Sequence, residues 1–397
     1  MSKWRARLGR WRETVQNRLP QRWNRVLAGV LIAVGIVLPF FFAPTSGFMN
    51  ATIIAVAYAV MALGLNIVVG FAGLLDLGYV AFYALGAYSL GWFGSGFFFQ
   101  ARVHVLVSPA QSKLAGVHLN FILILAAAAL ICALAGTLIG LPTLRLRGDY
   151  IAIVTLAFGE IIGVVAVNGQ SIPVGGGMTL TAGNLGISAV DQPYFPGIGQ
   201  FNLLDLRPWY WLILAILLFV LFVNLRLRDS RLGRAWIALR EDEIAAVSMG
   251  IPLVKTKLLA YAIGAAFGGM AGAFFGTYYT VVNAGQFQFG FSIFILAMVI
   301  IGGLGSIWGA VVGGMALGYI NNYLIPDILN NFPSHFGLNF QLTQVEFGIF
   351  GFLLVIMMLL RPQGLIPERR RRLELTAKIA AEDAQLAEVP GSAPGPS

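Results

Sequence analysis

Arg226-Leu-Arg-Asp-Ser-Arg-Leu-Gly-Arg-Ala-Trp-Ile-Ala-Leu-Arg-Glu-Asp-Glu-Ile-Ala-Ala-Val-Ser-Met-Gly250 is the most charged stretch between hydrophobic spans, and an apolar helix from Leu258 to Gly276 follows it. Arg240, Glu241, Asp242 and Glu243 are consecutive charges. A helix turns about 100° per residue, so they face nearly every direction. At roughly 2.5–3.5 kcal/mol per charge, burying them at a membrane centre would cost on the order of 10 kcal/mol. The segment therefore lies in water between two membrane helices. Its helix formers, apolar contacts at Trp236, Leu239 and Val247, and a stop at Gly250-Ile-Pro252 predict a short exposed helix offering a partly apolar surface to a partner. The competing reading is a solvated connecting loop. In the apolar helix beyond, Gly264, Gly268, Gly272 and Gly276 recur every four residues on one face, where another helix can approach closely; this speaks for packing rather than for substrate.

The composition agrees. Hydrophobic residues make up 58% of the 397, charged residues 11%, and the mean hydropathy is +0.80. Soluble domains carry about 25% charged residues, so this is an integral, all-α membrane protein. The net charge of +9 does not point to nucleic acid, because the basic residues cluster at the ends of spans. Cys132 has no cysteine partner in the chain, and His104, His118 and His335 are scattered, so no metal site is expected. There is no Walker A pattern, no dinucleotide fingerprint and no plausible nucleophile–base set, so no catalysis is expected here; any ATP hydrolysis belongs to another subunit.

Ten apolar stretches qualify as spans: 26–44, 51–70, 73–95, 119–141, 149–168, 209–225, 255–280, 290–304, 306–325 and 344–360. The first follows a basic segment, 1–25, and reads as an uncleaved span rather than a signal peptide. Of the 26 Lys and Arg, 23 fall in four clusters, at 1–25, 145–147, 226–257 and 361–378. With ten spans and both termini inside, all four clusters are cytoplasmic, while Arg102, Lys113 and Arg207 lie outside. The chain thus divides into a basic segment 1–25, a transmembrane domain 26–365 with a cytoplasmic loop at 226–254, and a tail 366–397 whose Pro/Gly/Ser end is expected to be disordered. Three outer connections are long, 96–118, 169–208 and 326–343; the second, rich in Gly and Pro, is either flexible or a docking surface for an external protein.

Two apolar stretches are broken by glycine, at Gly70-Phe-Ala-Gly73 and Gly302-Gly-Leu-Gly305, and they are weakly alike, a trace of internal duplication. A broken helix offers free N–H groups and a positive end suited to a carboxylate. Gly70, Gly73, Gly303 and Gly305 are therefore candidates for a path or gate. Asp76 and Glu160 are ionisable groups at membrane depth, which line a polar path, face a partner subunit or bond to backbone. Asn66 and Thr155 are polar at the same depth; hydrogen bonding between helices is the alternative to a place on the path.

Leu63-Gly-Leu-Asn-Ile-Val-Val-Gly-Phe-Ala-Gly-Leu-Leu-Asp-Leu-Gly-Tyr-Val-Ala-Phe-Tyr-Ala-Leu-Gly-Ala-Tyr88 closely resembles the inner-membrane permeases of branched-chain amino acid ABC transporters, LivM type. So do Leu146-Arg-Gly-Asp-Tyr-Ile-Ala-Ile-Val-Thr-Leu-Ala-Phe-Gly-Glu-Ile161, Gly233-Arg-Ala-Trp-Ile-Ala-Leu-Arg-Glu-Asp-Glu-Ile-Ala-Ala246 and Val299-Ile-Ile-Gly-Gly-Leu-Gly-Ser-Ile-Trp-Gly-Ala310. The resemblance covers roughly residues 50–365. It implies a multi-pass protein of the bacterial inner membrane, paired with a second homologous permease. Two cytoplasmic ATPase subunits would hold ATP and magnesium, and an external binding protein would deliver leucine, isoleucine or valine. It also implies that the 233–250 loop helix docks into the ATPase, through Arg234, Arg240, Glu241, Asp242, Glu243, Ala245, Ala246 and Gly250. The loop keeps Glu243-Ile-Ala-Ala246 and Gly250 of the general ABC pattern and lacks its terminal Ile-x-Leu-Pro, which leaves the boundary of the coupling helix open. Within the family the rival is a urea or short-chain amide permease. Outside it the rival is a stand-alone secondary transporter, which would need more relay residues than Asp76 and Glu160.

Overall fold

The computed structural model describes residues 35–109, 111–144, 150–197, 199–329, 345–361 and 364–366. The basic N-terminal segment, most of the first expected span, Arg145 and Arg147, most of the 326–343 connection and the tail beyond 366 lie outside the described residues.

The long helices follow the hydropathy. Helix α1 (Gly47–Leu65) is capped by Ser46, whose hydroxyl accepts from the Met49 N–H at 3.3 Å. It is apolar on every side and buried along nearly its whole length, as befits a helix at the centre of a bundle. It ends in a wider π-helical turn, Asn66–Phe71. Helix α2 (Val80–Phe93) begins only after an extended stretch, and α3 (Phe121–Thr143) and α4 (Tyr150–Asn168) follow. Helix α5 (Arg207–Asp229) leads into two short helices, α6 (Arg231–Glu241) and α7 (Glu243–Ser248), and then into the long α8 (Leu253–Tyr279). Helices α9 (Phe289–Gly302) and α10 (Ile307–Tyr319, extended by a π-helical segment to Leu329) form a hairpin, and α11 (Glu346–Leu360) closes the described chain.

Five of these helices are long and apolar enough to cross a membrane: Gly47–Phe71, Phe121–Thr143, Tyr150–Ser171, Arg207–Asp229 and Leu253–Tyr279. The expected span at 73–95 shortens to a helix of 14 residues, and the short one at 290–304 is also a helix of 14 residues. At 1.5 Å per residue each is about 21 Å long, short of a hydrocarbon core of roughly 30 Å. The hydropathy continues past the helix ends, but the backbone does not. Residues 72–79 run without regular structure, and Leu74, Asp76 and Tyr79 within them are buried in protein. Irregular backbone at membrane depth is tolerated only in such a shielded place.

Helix α8 is the centre of the packing. Its glycine row meets α1 and α2: Gly264 lies against Gly64 and Val68, Gly268 against Tyr79 and Phe82, Gly272 against the Tyr83 carbonyl, and Gly276 against Leu90. Gly269, on another face, meets Cys132 of α3. The outward faces are lipid-like: Leu130, Leu134 and Leu138 of α3, one turn apart, are 62%, 63% and 71% exposed.

One end of the bundle carries a cap of short strands. Strand β1 (Gly94–Ser95) pairs antiparallel with β3 (Gly116–Leu119), and β2 (Arg102–Val105) pairs parallel with β3. Two small hairpins follow, β4 (Pro173–Gly175) with β5 (Met178–Thr179) and β7 (Tyr194–Phe195) with β8 (Gly199–Gln200). Between them in sequence, β6 (Ile187–Ser188) pairs with β9 (Val281–Val282), just past α8. Asp191 ties this cap down. Its carboxylate accepts from His118 Nδ1 at 2.6 Å, its N–H donates to the Gly94 carbonyl, and its carbonyl accepts from Thr277 of α8 at 2.7 Å. Burial pushes the Asp191 carboxyl above its ordinary value, and the His118 ring opposes that shift. The connections at 96–118 and 169–208, the second rich in glycine and proline, are thus held by backbone pairing and the half-buried Asp191 carboxylate.

Candidate functional site

At the end of the bundle opposite the strand cap, the two glycine breaks meet. Asn66, fully buried, begins the π-helical turn, and its Oδ1 accepts from the Gly305 N–H at 2.9 Å. Gly70 sits against the same contact: a Cβ there would lie 2.2 Å from Asn66 Oδ1 and 2.7 Å from Gly305 N. Ser306 then starts α10, its hydroxyl accepting from the Gly309 N–H at 3.1 Å. Gly73 and Gly305 both take left-handed backbone, at φ +70° and +79°, which reverses the chain at each break. Gly303 packs against Gly364. The weak likeness of the two breaks in sequence thus corresponds to a physical junction.

Helix α6 is fastened to that junction. The Arg240 guanidinium donates to the Gly70 carbonyl, and its aliphatic stem lies over Gly73. Trp236 is fully buried and donates from its indole nitrogen to the Thr256 carbonyl of α8 at 2.7 Å. Leu239 is buried too. The predicted partner-facing side of this helix, Trp236 and Leu239, therefore faces inward. An open cavity of about 550 Å³, lined by Val69, Gly70, Gly73, Leu75, Arg240 and Glu241 among others, lies beside this contact.

The four consecutive charges are resolved by a break in the helix. Asp242 adopts extended backbone, ends α6 and caps α7, with Oδ1 accepting from the Ala245 N–H at 2.9 Å. Arg240 turns inward, Glu243 pairs with the buried Lys257 of α8, and Glu241 stays at the surface within 3.9 Å of Arg240. The expected single helix over 233–250 is accordingly two helices, because an aspartate whose side chain can cap favours the break. Arg234 is exposed and donates to the Asp229 carbonyl at 2.8 Å. Ala245 and Gly250 are exposed, Ala246 is buried, and Gly250 has φ +86°. Two residues that the sequence reading missed dominate the open surface: Ile244 is 82% exposed and Met249 84%, with Val247 between them at 46%. They are apolar side chains in a segment already placed in water, and that combination was the available signal.

Asp76 and Thr155 form a second, nearby pair of positions. Asp76 is buried, with Oδ1 accepting from the Gly78 N–H at 2.9 Å, while Oδ2 has no hydrogen-bond partner among the described residues. Thr155 accepts from the Leu77 N–H at 3.1 Å and so links α4 to the extended stretch. Glu160 stands apart from both groups, on the exposed face of α4. Among the described residues no cluster of three His, Cys, Asp or Glu could hold a metal.

Comparison with known sequences adds to this geometry. The profile of a family described as "Branched-chain amino acid transport system / permease component" matches residues 47–360. The chain is 34% identical, over 369 aligned positions, to the high-affinity branched-chain amino acid transport system permease protein LivM of Salmonella typhimurium, covering 87% of this chain and 75% of that protein. It is 27% identical over 329 positions to a probable LivM permease of Methanocaldococcus jannaschii, covering 79% and 91%. With the permease LivH of Salmonella typhimurium it shares 26% over 282 positions, covering 68% and 82%. No solved structure matches.

Proposed function

The chain belongs to the family of permease components of branched-chain amino acid transport systems, and on that premise we propose that it is one of two homologous permeases in an ATP-driven importer of leucine, isoleucine and valine. The similarity to both LivM and LivH proteins supports the pairing. In this reading the chain has ten spans with both termini inside, in the bacterial inner membrane. The α6–α7 end faces the cytoplasm, where two ATPase subunits bring ATP and magnesium. The strand cap faces outward, toward a binding protein. The basic residues gathered at 226–257 support that orientation.

The observation that carries the mechanism is the two-sidedness of α6–α7. One side is fastened into the membrane domain through Arg240, Trp236 and the Glu243–Lys257 pair. The other presents Ile244, Val247 and Met249 to solvent. A partner gripping those apolar side chains would pull directly on the Gly70 break. ATP binding closes the ATPases, the motion passes through α6 to the junction at Asn66 and Gly305, and the permease pair changes which side it opens to.

Labelled leucine and urea uptake tests the substrate. In cells lacking the chain, its restoration should return leucine uptake that needs ATP and survives a protonophore. Urea uptake instead would keep the mechanism and move the substrate to the amide branch. Uptake abolished by the protonophore at constant ATP would point to a secondary transporter. Docking has its own test. The double replacement Ile244→Asp, Met249→Asp touches only exposed side chains, so the chain should reach the membrane in normal amount while leucine uptake falls at least tenfold. Uptake at the normal rate in that variant would remove the docking surface from the mechanism.

A further inference from the structure

A second cavity, of about 260 Å³, lies at the strand-cap end of the bundle. That is below the roughly 300–1,000 Å³ of pockets for drug-sized ligands, a size suited to one small molecule. Three kinds of chemistry converge on it. Its walls are aromatic: Tyr58 and Tyr83 each pack against Phe275 and Phe291, with ring centres 5.0–5.9 Å apart. Its acid is Glu346, in the first turn of α11 and close to Tyr58. Its positive end is the N-terminus of α9, where Gln288, the residue before the helix, lines the cavity and makes no capping bond of its own. The first N–H groups of a 14-residue helix lack intrahelical acceptors and carry partial positive charge. In addition Asn321 lines the same space, and its Oδ1 is buried with no hydrogen-bond partner among the described residues.

We propose that this cavity is a resting site on the path for a free α-amino acid with an apolar side chain. The ammonium lies on Glu346 and the tyrosine ring faces, the carboxylate at the α9 N-terminus beside Gln288, and the side chain among Phe275 and Phe291. A carboxylate alone would select any cation and an aromatic wall any apolar body; the two, opposed by a helix N-terminus, match a zwitterion. The Asn321 oxygen is a second acceptor for the ammonium. This assignment deepens the importer reading and rests on it.

The test uses the complete importer in vesicles, with partner permease, ATPases and binding protein. Gln288→Cys provides a thiol in the cavity, while the native Cys132 is fully buried. Labelling of this chain by a small charged thiosulfonate is followed by mass. Saturating leucine should slow labelling of Gln288→Cys at least fivefold, while saturating urea should leave it unchanged. Separately, Glu346→Gln should cut leucine uptake at least tenfold while ATP hydrolysis stimulated by loaded binding protein stays within twofold, and Glu346→Asp should recover a third or more of the uptake. A leucine-transporting complex in which leucine does not protect Gln288→Cys overturns the site. Normal uptake by Glu346→Gln overturns the ammonium contact. If Glu346→Gln fails to accumulate, thiol protection alone decides. A wild-type complex that moves no branched-chain amino acid is a different result, and it sinks the importer reading itself.

Discussion

Gly272→Leu is expected to abolish accumulation of the folded chain, leaving less than a tenth of the normal amount in the membrane. A Cβ at that position would lie 2.1 Å from the Tyr83 carbonyl oxygen and 2.9 Å from the Ala87 nitrogen. These are backbone atoms of α2, and no rotamer change can move them. Nor can α8 retreat, since Gly269 on another of its faces would place a Cβ 2.5 Å from Cys132 Sγ of α3. Ordinary overpacking costs about 1–3 kcal/mol, because side chains shift to absorb it; here whole helices would have to part. Lipid supplies no hydrophobic force to hold them together, so close contact between the helices carries their association. The control is Gly351→Leu in α11, where an added Cβ meets nothing within 4 Å and the amount should stay normal. Size-exclusion profiles of the two variants in detergent make the comparison. A monodisperse Gly272→Leu protein at normal yield would show that the glycine row is not needed for packing.

Arg240→Ala should give the opposite combination, a chain present in the membrane that transports at a tenth of the normal rate or less. Arg240 is only partly buried, so its removal leaves the core intact. What is lost is the one charge-assisted hydrogen bond between α6 and the Gly70 carbonyl, together with the stem covering Gly73. A buried carbonyl left without its donor costs about 1–3 kcal/mol, enough to loosen the contact between helix and break without unfolding the bundle. ATP hydrolysis by the assembled complex should continue, no longer matched by uptake. Arg240→Lys keeps a charge but not the planar fork, so it should fall between the two. Leucine uptake above half of normal in Arg240→Ala, at equal membrane level, would mean that motion reaches the path by some other contact.

The long helices and the glycine row were legible because hydropathy and four-residue spacing are local properties. α1, α3, α4, α5 and α8 begin and end within a few residues of the expected limits. The breaks were visible as Gly70-Phe-Ala-Gly73 and Gly302-Gly-Leu-Gly305, but their effect on length was not. An apolar run reads the same whether its backbone is helical or extended, so the stretch at 73–95 looked like a full span. The shape of the run of four charges was not foreseen, because a single capping bond from Asp242 decides between one helix and two. The inward turn of Arg240 was illegible for a different reason. Its acceptor is a carbonyl 170 residues away, and a carbonyl carries no mark of residue type. The aromatic cavity escaped notice likewise, its walls coming from α1, α2, α8 and α9.

The bond between Asn66 and Gly305 joins positions 239 residues apart. At about 5–20 residues per second, a ribosome delivers Gly305 roughly 10–50 s after Asn66. For that interval the amide at the end of α1 sits at membrane depth with its eventual donor not yet made, and α2 has no α8 to lie against. The first third of the chain must then be sheltered by the insertion machinery or held at the membrane surface until the last third arrives. Maturation of this protein is therefore a matter of timing, and a ribosome stalled before codon 305 strands an unfinished chain whose Asn66 has no Gly305 to meet.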